Sequence, residues 1–96
     1  MKTFLKKIVS PYSSVKKREI YSILQGENIG NMIVFIVEEF SKYKFLLLPN
    51  MLNIEFEVNE FKEMKRKKIV ELVEILPNDV YTVCEKQYIK NIATYK

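Results

Sequence analysis

Ninety-six residues with a net charge of +4, 48% hydrophobic and 29% charged, have the balance of a globular chain and not of a disordered one. There is no His, no Trp, one Cys and only two Gly. Those absences exclude histidine-based catalytic triads, imidazole metal ligands, an intramolecular disulfide, a zinc site of several thiolates and the glycine-dense loops that cradle phosphates.

Residues 2–9 place Phe4, Leu5, Ile8 and Val9 on one face of a short helix, with Lys2, Lys6 and Lys7 mostly opposite. Pro11 ends it, because the residue before a proline is pushed out of the helical region. Ser13 and Ser14 are suitable N-caps for a second helix over 15–25, with Ile20, Ile23 and Leu24 as its stripe and Gly26 beyond its end. The period then changes. Residues 32–37 are a β-branched run, 45–48 are apolar up to Pro49, and 53–59 alternate with Ile54, Phe56 and Val58 on one side. Links at Ser41-Lys42 and Pro49-Asn50 would join these into a three-stranded antiparallel meander. A helix through Ile29, Met32, Ile33, Ile36, Val37, Phe40 and Tyr43 fits the same residues, so 32–45 stays open between strand and helix, with strand preferred.

Residues 60–76 predict a long helix, capped by Asn59 and stopped by Pro77, with Phe61, Met64, Ile69, Leu72, Val73 and Leu76 buried. Glu63 with Lys67, and Lys67 with Glu71, would support it at i, i+4. Residues 80–84 alternate as a strand, and 87–95 fit either its hairpin partner or a last helix. The expected fold class is α+β: a single domain over 1–96 with N-terminal helices, a three-stranded antiparallel meander, a long helix and a C-terminal strand or hairpin. An all-α bundle is the alternative.

The charge is segregated. Six cations against Glu19 leave residues 1–25 at +5, seven Glu against three Lys leave 26–64 at −4, and seven cations against four acids leave 65–96 at +3. Two clusters, Lys16-Lys17-Arg18 and Lys65-Arg66-Lys67-Lys68, form a candidate basic patch for nucleic acid, with Tyr43 between Lys42 and Lys44 as a candidate stacking aromatic. Whether the clusters share a face is not legible in the sequence. Fourteen of the sixteen cations are Lys, which lacks the planar fork that favours Arg at base edges. The apolar set Phe4, Leu5, Ile8 and Val9, with its lysines, is a candidate for weak contact with an anionic membrane. Glu55 and Glu57 would share a strand face, which reads as a solvated face before it reads as acid–base chemistry. Cys84 reads as a core residue.

The expectation is therefore a non-enzymatic regulatory or adaptor protein that acts by protein–protein interaction or self-association. Nucleic-acid binding and peripheral membrane association are the alternatives. No cofactor and no metal are expected. The longest apolar run, 32–37, falls short of the about 20 residues of a spanning helix and the about 7 of a signal-peptide core. With a solitary Cys, this points to a cytoplasmic protein.

Overall fold

The computed structural model describes residues 15–94. The chain runs β1 (Glu19–Ile23), β2 (Met32–Glu39), β3 (Lys42–Leu48), β4 (Leu52–Glu57), α1 (Val58–Arg66), β5 (Val70–Ile75) and α2 (Asn78–Thr94). All five strands form one antiparallel sheet in the order β4-β3-β2-β1-β5, so β5 returns across the meander to pair with β1.

Alternation along each strand sends side chains to two different cores. Tyr21, Ile23, Ile33, Phe35, Tyr43, Phe45, Leu47 and Val70 face α1, where Phe61 is fully buried among them. The Phe61 ring meets Tyr21, Phe45, Tyr43 and Phe56 at centroid separations of 5.2, 4.8, 5.8 and 5.8 Å. Such aromatic contacts add about 0.5–1.5 kcal/mol per pair beyond area burial. Ile20, Val34, Ile36 and Leu46 face the other way, against Leu76 and the Tyr81, Cys84 and Tyr88 stripe of α2. The spacing 81, 84, 88 is one helical face. β2 carries a bulge between Phe35 and Val37, where the register with β3 skips Ile36. The Tyr81 hydroxyl donates to the Ile36 carbonyl at 3.1 Å, so α2 is pinned where the ladder breaks.

The order of elements corrects the expected one, and no all-α bundle forms. Residues 15–25 are not a helix: they hold a turn and then β1, with Ile20 and Ile23 buried in opposite cores. Residues 32–45 are not a helix but strand on either side of a turn at Phe40-Ser41, and the meander is three strands of a five-stranded sheet. The helix expected over 60–76 is α1 followed by a separate strand. Glu57, not Asn59, begins α1, through a capping box with Glu60. The chain leaves the helix at Lys68, whose φ of 61° is left-handed. Lys68 N–H donates to Lys65 O at 3.2 Å and Ile69 N–H to Met64 O at 2.8 Å, the paired bonds of a Schellman end. Residues 80–84, expected as a strand, are helix. Pro77 precedes the first turn of α2, and its carbonyl accepts the Tyr81 N–H at 2.9 Å. The expected N-terminal helix over 2–9, with Phe4, Leu5, Ile8 and Val9, lies outside the described residues.

Candidate functional site

Antiparallel pairing of β1 with β5 decides where the two basic clusters go. At one end of β1, Leu76 N–H donates to Arg18 O at 2.8 Å, and the Arg18 guanidinium donates to Leu76 O at 3.2 Å. At the other end, Leu24 N–H donates to Ile69 O at 2.7 Å, beside Lys68. Arg18 and Leu24 are six steps of extended chain apart, or about 20 Å at about 3.3 Å per residue. Arg18 and Lys68 therefore sit at opposite ends of one strand, while the Lys65 side chain reaches back over β1 towards Tyr21 and Glu19.

Within the clusters, several cations are already engaged. The Lys65 ammonium lies 5.6 Å from the Tyr21 ring centroid, and burial lowers its pKa from the ordinary lysine value. Arg66 forks onto Glu63 with bonds of 2.7 and 3.2 Å. This i, i+3 pair takes the place of the expected one between Glu63 and Lys67. Lys16, Lys17, Lys67 and Lys68 are exposed. Tyr43 is 1% exposed and cannot stack on a base. Its lysine neighbours point to the opposite face of β3, as alternation requires. Lys42 and Lys44 both hold Glu55, at 3.0 and 2.8 Å, and these bonds keep the Glu55 carboxyl below its ordinary pKa. A carboxylate held ionised does not serve as a general acid at neutral pH.

A second polar cluster inside the fold surrounds Glu19. Glu19 is 9% exposed, and its Oε1 accepts the Tyr21 hydroxyl at 2.7 Å and the Lys16 N–H at 3.1 Å. Burial, and then the bond to Glu19, push the Tyr21 hydroxyl far above its ordinary pKa. Both groups are satisfied, and the rings around them are packed, so the pair ties β1 together. A small pocket of about 150 Å³ lies between β3, β4 and α2, lined by Lys44, Asn53, Ile54, Glu55 and Tyr88. Cys84 is buried, and burial raises its thiol pKa, away from nucleophilic chemistry. No group of three or more His, Cys, Asp or Glu placed to hold a metal occurs among the described residues, and no described helix is long and apolar enough to cross a membrane.

The most exposed large apolar side chain among the described residues is Phe40, at 87%. Glu39 pairs with Lys42, so Phe40 and Ser41 are the whole turn between β2 and β3. Both have positive φ, 53° and 64°, the backbone of a type I′ turn. The tip is held from behind, because Ser41 O accepts Val58 N–H at 3.1 Å. Glu57 pairs with Lys42 on β4, which brings the capping-box acids Glu57 and Glu60 beside the exposed Glu38 and Glu39. Phe40 is thus an exposed ring in a collar of four Glu, interrupted by Lys42, which stands between Glu39 and Glu57 in the ladder and is held by Glu55. Sequence reasoning missed it, since its neighbours carry no turn signature. The chain matches no protein-family model, no curated protein and no solved structure.

Proposed function

We propose that this chain is a small non-enzymatic adaptor or regulator of the cytoplasm that binds a protein partner through the Phe40 tip. One observation carries the reading: a phenylalanine stands almost wholly in water, on a left-handed backbone position, at the end of a hairpin braced by α1. Water exposure and the backbone conformation are both unfavourable for Phe, and its ring adds to neither core. An aromatic ring on a rigid turn is suited to fill a partner's pocket at little entropic cost. The collar of Glu38, Glu39, Glu57 and Glu60 asks for a pocket with a basic rim, and repels phosphate-rich surfaces. Burial of Tyr43 and the engagement of Lys65 with Tyr21 and of Arg66 with Glu63 weigh against a nucleic-acid interface.

The test is photo-cross-linking from a reactive phenylalanine analogue at position 40, in extract of the cell that makes the protein. The reading expects one discrete protein adduct that excess wild-type chain competes away and the Phe40→Ser chain does not. No adduct, or equal competition by both chains, overturns it.

A further inference from the structure

The outer edge of β5 is a second surface, carried by observations independent of Phe40. Among the described residues β5 pairs with β1 alone, so the main-chain groups on its other side meet no strand. Its register with β1 sorts its side chains by face. Leu72 lies opposite Tyr21 and Ile75 opposite Glu19, on the side of α1, while Glu71 lies opposite Ser22 and Glu74 opposite Ile20, on the side of α2. Leu72 and Ile75 are 46% and 56% exposed. Glu71 and Glu74 are exposed and form no ion pair among the described residues.

We propose that this edge takes an added strand from another protein: an extended segment in which apolar residues alternate with Lys or Arg. Main-chain hydrogen bonds along a free edge supply affinity, and alternate side chains supply specificity. A bulge leaves Val73 out of the register, so Glu71, Leu72, Glu74 and Ile75 alternate faces, and an incoming strand that passes over Val73 with apolar groups towards Leu72 and Ile75 presents its other set towards Glu71 and Glu74. Opposite charges across a strand pair are favourable and like charges directly opposite are not. That same rule argues against a second copy of this chain. Full antiparallel overlap of two β5 strands would set Glu71 of each against Glu74 of the other. The bulge that interrupts β5 pairing near Ile20 and Tyr21 adds twist and further disfavours flat self-association. The edge is therefore guarded against itself and open to a basic strand.

The inference rests on the reading of the chain as a protein-binding adaptor but uses a different surface, so either can fail alone. The experiment takes the full chain with two blocked heptapeptides, one alternating Lys and Val and one alternating Glu and Val, and follows binding and amide exchange. The Lys peptide is expected to bind and to slow amides within Val70–Ile75. The Glu peptide is expected to bind at least about tenfold more weakly, and Glu71→Lys with Glu74→Lys to invert the order. Phe40→Ser should leave peptide binding unchanged. Equal binding of both peptides, protection elsewhere, β5 amides already slow in the free monomer, or a wild-type dimer that protects β5 would each overturn it.

Discussion

Left-handed backbone positions outnumber glycines in this protein. Gly26 and Gly30 have positive φ, and so do Arg18, Phe40, Ser41, Met51 and Lys68. A side chain in that region costs about 1–2 kcal/mol, least for Asn and none for Gly. Replacing Phe40-Ser41 with Asn-Gly, the pair that a type I′ turn favours, is expected to raise the urea midpoint at unchanged m, by about 1–2 kcal/mol of stability. The same variant, added in excess, should fail to compete for the cross-linked partner, and a double variant less stable than wild type would refute the turn assignment. The sequence hid this residue for a physical reason. Tight hairpins are announced by Asn, Asp or Gly, and Phe40 instead completes an apolar period that fits a helix. Tyr43 was misjudged for a related reason: residues adjacent in a strand point to opposite faces, so lysines on either side make a tyrosine more inward, not more accessible.

Single elements show where sequence patterns suffice and where they fail. Residues 53–59 alternate strictly, and Leu52–Glu57 is a strand, because an edge strand over one apolar core needs only that alternation. Residues 60–76 carry a helical period throughout, yet the chain turns at Lys68 and resumes as β5. The stop is made by backbone hydrogen bonds around a left-handed lysine, which leave no glycine or proline to read. Lys68→Gly is therefore expected to stabilise the fold by about 0.5–1 kcal/mol, a rise of about 2–8 °C in Tm. A fall on thermal unfolding would mean that the lysine side chain contributes more than its backbone costs. β1 escaped notice because five residues that feed two cores do not alternate between apolar and polar. The first turns of α2 escaped, and 87–95 stayed open between strand and the helix it forms up to Thr94, because Val80, Val83, Ile89 and Ile92 are exposed around the same helix that buries Tyr81, Cys84 and Tyr88, which blurs its period.

Across the described residues, tyrosines are the largest set of titratable groups that burial shifts. Burial raises the pKa of Tyr21, Tyr43, Tyr81 and Tyr88, most of all Tyr21, whose hydroxyl also donates to Glu19. A native state that keeps protons the unfolded chain has lost is stable below the ordinary tyrosine pKa of about 10, and loses that stability as pH rises above it. Denaturant midpoints are expected to be level up to about pH 8, to decline once the unfolded Cys84 thiol ionises at about pH 8.5, and to fall steeply beyond about pH 10. Tyr21→Phe should lower the plateau, because Glu19 loses a donor, and flatten the alkaline fall. An equally steep fall in the variant would place the linkage on the other rings.

The helices on both faces of the sheet have one further consequence. In a sheet with one wet face, a strand that slips by one residue exposes its hydrophobic set, and water corrects the error. Here a slip of β2 would exchange Ile33 and Phe35 with Val34 and Ile36, and both sets would remain dry. Polarity does not choose between these alignments. Shape does: the α1 side holds the interlocked rings of Tyr21, Phe35, Tyr43, Phe45 and Phe61, and the sheet's contribution to the α2 side is branched aliphatic groups. Steric fit, more than solvent, selects the alignment of the central strands.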